Sequence, residues 1–177
     1  MDLETVIAAL TGLVGQHLVG TRTFCATRQF YFGHLADIWD PSSCDTIGLE
    51  CPWRLEQEGR IITGSGDYAV EVPQASGAPE PEGLLKYLQD RRLCEFMGRV
   101  VDDSIVASRT IAVQAVDLDP IGGFRIFLDT DKILSAFPSS GGEMEWIFLR
   151  RSGPTIMMVG GDIVIGAEAG QPDRAPG

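Results

Sequence analysis

Few residues in this 177-residue chain are of types that do chemistry at neutral pH. The imidazoles are His17 and His34. Acid–base or nucleophilic work on either would need a nucleophile and a carboxylate around it, and no Gly-x-Ser-x-Gly elbow occurs. His17 follows a predicted helix, where a cation offsets the helix dipole, and His34 stands beside Gly33 in a predicted turn. Asp117 with Asp119, and Asp129 with Asp131, form Asp-x-Asp pairs whose oxygens would suit a divalent cation. Both pairs lie at predicted strand ends, where Asp more simply caps backbone amides, and no EF-hand loop follows. Cys25, Cys44, Cys51 and Cys94 have neither Cys-x-x-Cys spacing nor a companion His at zinc spacing. Gly64-Ser65-Gly66-Asp67 would offer amides to an anion but lacks the Lys and the following helix of a phosphate loop. No catalytic, cofactor or metal set is assigned, and the pattern favours a protein that is not an enzyme.

Charge narrows the partners. The chain has 14 basic and 25 acidic residues, net −11, with 44 % hydrophobic residues. That composition excludes wholesale disorder, and the negative balance opposes a phosphate backbone, so nucleic acid is not expected. No apolar run is long enough to span a membrane. The acidic start Met1-Asp2-Leu3-Glu4 is unlike a secretory signal, so the cytoplasm is the expected compartment and the four thiols are expected reduced and mostly buried.

The elements that must position these groups follow from periodicity. Leu3, Val6, Ile7, Leu10, Leu13 and Val14 recur at three- and four-residue steps, predicting a helix that Gly15 or Gly20 terminates. Phe24, Ala26, Phe30 and Phe32 then alternate along one predicted strand. The clearest alternation, Ile47, Leu49, Cys51, Trp53 and Leu55, predicts a half-buried strand over 46–55 that lies at an edge or bends at Pro52. Glu58-Gly59 reads as a turn. A Pro/Gly-rich connector over 73–83 leads to a second helix with Leu84, Leu85, Leu88, Phe96 and Met97 as its apolar members, and strands return from Ile111 to Val159.

The two parts run in similar order. Phe30-Tyr31-Phe32-Gly33 parallels Phe124-Arg125-Ile126-Phe127, Trp53 parallels Trp146, and Gly64-Ser65-Gly66-Asp67 parallels Gly160-Gly161-Asp162. This predicts an α+β fold made of two similar helix-plus-antiparallel-meander halves packed together, an internal duplication. The halves cover about 1–72 and 81–166 of a single domain, with a linker at 73–80 and a flexible tail at 167–177.

Leu49-Glu50-Cys51-Pro52-Trp53-Arg54-Leu55, followed by Ile61-Ile62-Thr63-Gly64-Ser65-Gly66-Asp67, resembles the Cys-Pro-Trp-Arg … Gly-Ser-x-Asp pattern of a family of small uncharacterised bacterial proteins. Glu145–Arg150 and Val159-Gly160-Gly161-Asp162 also resemble that family, and the similarity spans most of residues 3–166. Thr63 replaces the hydrophobic residue that the family places before Gly-Ser. The resemblance implies no activity.

What remains is recognition. Residues 1–80 carry four basic and eleven acidic groups, net −7, against ten and fourteen, net −4, in 81–177. The reading is a non-enzymatic acidic interaction protein, of immunity or accessory type, that binds a basic protein partner through its first part. The candidate contacts are Asp37, Trp39 and Asp40, in a predicted loop, with Ser65 and Asp67. The alternatives are a small-ligand module with a pocket between the halves and an Asp-based metal-dependent enzyme.

Overall fold

Val6, Ala9, Leu10 and Leu13 line one face of helix α1, Leu3–Thr11, and its continuation, and that face is buried. Ile7 and Val14 fall off the stripe and are exposed. Gly15, at φ +86, turns the chain out and donates its N–H to Val113 O. The computed structural model describes residues 3–33, 43–73, 76–77, 83–101, 103–107, 111–139 and 143–168.

Thirteen strands follow among the described residues. Strand β1, His17–Phe24, turns through Cys25-Ala26 into β2, Thr27–Gly33, with Phe24 opposite Thr27 and Cys25 at φ 53. The sequence reading ran one strand through this turn, because Phe24 and Ala26 happen to keep step with Phe30. His17 opens β1 rather than closing a helix.

The alternation over 46–55 is real, yet it belongs to two strands. β3, Asp45–Leu49, and β4, Trp53–Gln57, lie in different sheets, and the chain crosses between them at 50–52, bending at Cys51 just before Pro52. Ile47 and Leu49 point inward from one sheet, and Trp53 and Leu55 point inward from the other. Because both strands face the same interior, the period survives the crossing. β5, Arg60–Gly64, follows the Glu58-Gly59 turn.

Helix α2, Leu88–Met97, buries Gln89, Asp90, Leu93 and Met97 and ends at Gly98, φ 151. Two strands absent from the sequence reading follow it, β6, Gly98–Val101, and β7, Ser104–Ala107. The chain continues as β8, Val113–Leu118, β9, Phe124–Leu128, β10, Lys132–Ala136, β11, Met144–Leu149, β12, Pro154–Val159, and β13, Asp162–Glu168. The last strand enters the stretch expected to be tail.

The strands form an antiparallel sheet ordered β13-β12-β11-β3-β2-β1-β7-β6 and a second ordered β5-β4-β10-β9-β8. This corrects the α+β expectation, including its two helix-plus-meander halves and their duplication. The fold is β-rich, and neither half is a packed unit. β3 pairs with β11, Leu49 opposite Trp146, while β4 pairs with β10, Trp53 opposite Ala136. Each sheet thus takes strands from both parts of the chain. Among the described residues the chain changes sheets four times, and the crossings at 50–52 and between β10 and β11 are the ones that separate these pairs. Each sends a meander's last strand and the next hairpin into different sheets.

These two crossings are tied together. Glu50 N and Cys51 N both donate to Glu145 O at 2.9 Å, and Phe137 N donates to Pro52 O at 2.8 Å. Inside, the sheets meet through two edge-to-face ring pairs. Phe30 of β2 meets Trp53 of β4 at 5.3 Å, and Phe124 of β9 meets Trp146 of β11 at 5.6 Å. Trp146 Nε1 donates to Gly122 O at 2.9 Å. Gly122 sits at φ +89, a conformation that L side chains rarely adopt, which suits glycine to the turn. With Leu55, Leu134 and Ile126 these rings fill the space between the sheets.

Each of Trp53→Ala and Trp146→Ala is expected to lower stability in urea unfolding by about 3–5 kcal/mol. A loss under about 1 kcal/mol would mean that the ring does not bridge the sheets. Burial and the neighbouring Glu145 charge push the Cys51 thiol up to about 12 from 9.0. The unfolded thiol ionises first, so stability is expected to fall between pH 9 and about 12 as the unfolded state loses its proton. Cys51→Ala should flatten that part of the pH–stability curve.

Candidate functional site

Most of the expected contact residues do structural work or lie elsewhere. Asp37, Trp39 and Asp40, with His34, are outside the described residues. Ser65 and Asp67 open a short 3₁₀ turn after β5 and are already engaged. Ser65 Oγ accepts Trp53 N at 3.3 Å, and Asp67 Oδ2 accepts Thr63 Oγ1 at 2.9 Å and Arg92 Nη1 at 2.7 Å. The Gly-Ser-x-Asp run therefore anchors the turn to β4 and to α2. Gly64 is fixed by close approach, since a β-carbon there would stand 2.5 Å from Trp53 O.

Of the Asp-x-Asp residues, Asp119 is likewise committed, and Asp129 Oδ1 is buried without a hydrogen-bond partner. Asp119 Oδ1 accepts Ile121 N at 2.9 Å and Gly123 N at 2.8 Å, and Asp117 and Asp129 face Arg125 and Lys132 at 3.7 Å. Among the described residues no three His, Cys, Asp or Glu side chains gather as a metal set. All four cysteines are unbridged; Cys44 and Cys51 are buried, Cys25 is exposed and Cys94 is half-buried. No helix among the described residues is long and apolar enough to cross a membrane.

The structure brings together a set of residues that sequence reasoning missed. Arg28 of β2 reaches under α2 with only 3 % exposure, and its Nη2 donates to Asp90 Oδ1 at 2.7 Å and to Gln89 Oε1 at 2.6 Å. Gln89 Nε2 donates onward to Gly64 O at 2.7 Å. A buried charge is tolerable only when paired and hydrogen-bonded, and this network supplies both partners. It clamps α2 onto β2 and β5 and fixes the position of the Asp90 carboxylate.

Above that clamp lies a cleft of about 260 Å³, lined by Thr23, Tyr68, Ala69, Leu84, Tyr87 and Asp90. Its rims are held by backbone bonds, Leu88 N to Val70 O at 2.7 Å and Val72 N to Lys86 O at 3.0 Å. Tyr68 and Tyr87 are 46 % and 38 % exposed, and Val70, two residues after Tyr68, and Phe24, next to Thr23, are exposed as well. Thr23 Oγ1 is buried without a hydrogen-bond partner. The walls are therefore aromatic and aliphatic, while Asp90 and Thr23 bring acceptor oxygens. Such a cleft suits a ligand with an apolar stem and a cationic, donor-rich head.

The signal for this site in the sequence is weak. Tyr68 and Tyr87 belong to no periodic stripe, and Gln89-Asp90 reads as a solvated helix start until Arg28 is placed beneath it. No family model matches the chain, and neither the curated proteins nor the solved structures yield a significant match.

Asp90→Asn, which leaves the buried Arg28 charge unpaired, is expected to cost about 3–5 kcal/mol in chemical denaturation. Joint replacement by Arg28→Met and Asp90→Leu should recover most of that loss. A double variant as unstable as the single one would show that the pair does more than neutralise itself.

Proposed function

We propose that this protein is a non-enzymatic binding protein that docks a basic protein partner, with an Arg or Lys side chain of the partner seated in the cleft between Tyr68 and Tyr87. The observation that carries this reading is the Asp90 carboxylate in a cleft with aromatic walls. The aliphatic stem of the incoming side chain would lie against Leu84 and Ala69. Its cationic head would face the Tyr rings and meet Asp90 and the partnerless Thr23 hydroxyl. A net charge of −11 supports the same polarity, because complementary charge accelerates encounter and orients the partner. An accessory or immunity-like role, masking a basic surface, is the biological form that this chemistry fits.

The test is an NMR titration of the intact protein with capped peptides that carry a central Arg, Lys, Gln or Glu. Shifts at residues 68–70 and 84–90 with the Arg and Lys peptides alone are expected, weakened by salt and lost in Tyr87→Ala. Equal responses to the Gln and Glu peptides would refute a cation-selective cleft.

A further inference from the structure

A second cluster of unfilled groups stands on the outer face of the five-stranded sheet, away from the Tyr cleft. Register places Arg54 of β4 opposite Ser135 of β10, Ser135 opposite Arg125 of β9, and Arg125 opposite Asp117 of β8. These four residues form one cross-strand row, with neighbouring strands about 4.8 Å apart. The flanking residues on each strand point into the core, as Trp53, Leu55, Leu134, Ala136, Phe124 and Ile126 show by their burial. The row itself must therefore face outward.

Ser135 is the anomaly in this row. It is only 1 % exposed although it sits on the outer face, and its Oγ has no hydrogen-bond partner. A buried hydroxyl left unsatisfied costs stability, so it calls for a partner that the protein itself does not supply. Ser135 is one of the residues around a cavity of about 310 Å³ that is also lined by Arg54, Arg125, Asp117, Asp119 and Phe137. Arg54 stacks over the Phe137 ring at 4.8 Å and pairs with Glu56 through Nε, which leaves its terminal nitrogens without a hydrogen bond among the described residues. Arg125 lies 3.7 Å from Asp117, too far for a hydrogen bond, and its guanidinium donates to no other described residue.

Three donors with open valence thus surround one small cavity. Arg–Ser–Arg is an arrangement for an oxyanion, since a guanidinium matches two oxygens and a hydroxyl can donate to one of them. The acids decide which oxyanion. Asp117 and Asp119 share the cavity, so a second negative charge on the ligand would meet two carboxylates at close range. Phe137 supplies an apolar wall. We propose that this face is a binding site for a small organic monocarboxylate, with the carboxylate held between Arg54 and Arg125 on the Ser135 hydroxyl and the organic part lying toward Phe137.

The experiment is calorimetric and NMR-monitored titration of the intact protein with benzoate, its neutral isostere benzamide, and inorganic phosphate. Benzoate is expected to bind and to shift residues 54, 125, 135 and 137, with benzamide silent and phosphate weaker. Ser135→Ala and Arg125→Gln should each weaken benzoate by about tenfold or more. Thermal unfolding separates a site from a packing accident. Without ligand, Ser135→Ala should match or exceed the parent midpoint, because it removes an unsatisfied hydroxyl, while benzoate should raise the parent midpoint more than that of the variant. Equal binding of benzoate and benzamide, unchanged affinity in either variant, or phosphate binding tighter than benzoate would each overturn the proposal. None of these outcomes touches the Tyr68–Tyr87 cleft, whose peptides are cationic.

Discussion

Three backbone hydrogen bonds tie together two of the four places where the chain changes sheets, and the architecture rests on them. Glu145 O receives both Glu50 N and Cys51 N, and Pro52 O receives Phe137 N, so the β3–β4 and β10–β11 crossings lie against each other. Buried backbone polar groups must be paired, and a chain leaving a sheet loses its ladder partners. Here each crossing supplies partners for the other. Pro52 suits this place because it needs no acceptor for a missing N–H. With the crossings fixed, β3 lies beside β11 and β4 beside β10, and the Phe30–Trp53 and Phe124–Trp146 contacts follow between the sheets.

Inward-facing apolar residues were legible in the sequence, and partners were not. Ile47, Leu49, Cys51, Trp53 and Leu55 all point inward as their alternation requires. Side-chain period, however, records only which way a residue faces, and it is blind to a change of sheet between two strands that share a core. The α+β reading failed at that point. Helix α1 was legible because its buried face is apolar throughout; α2 was misjudged because Gln89 and Asp90 are part of its buried face. β6 and β7 escaped notice because four-residue strands are too short to establish a period.

The sites show the same division. Ser65 and Asp67 drew attention as polar groups in a Gly-rich turn, and the structure spends them on Trp53, Thr63 and Arg92. Groups with unfilled hydrogen-bonding capacity lie elsewhere, and each becomes visible only through contacts between distant segments. Thr23 and Tyr87 meet across the end of β1 and the start of α2. Arg54, Ser135 and Arg125 belong to three strands whose register no local pattern encodes. Net charge says nothing about this row, where two arginines, a serine and an aspartate share one face.

The exchange of strands between the sheets also sets the order in which the molecule can be made. β3 is complete long before its partner β11 is made, and β4 must likewise wait for β10. Until then Ile47, Leu49, Trp53 and Leu55 line edges that have no neighbour, and closing such long loops is slow. A nascent chain therefore emerges from the ribosome with half of each sheet open. Its interval of greatest exposure to aggregation or to a chaperone ends only when the last hairpin arrives.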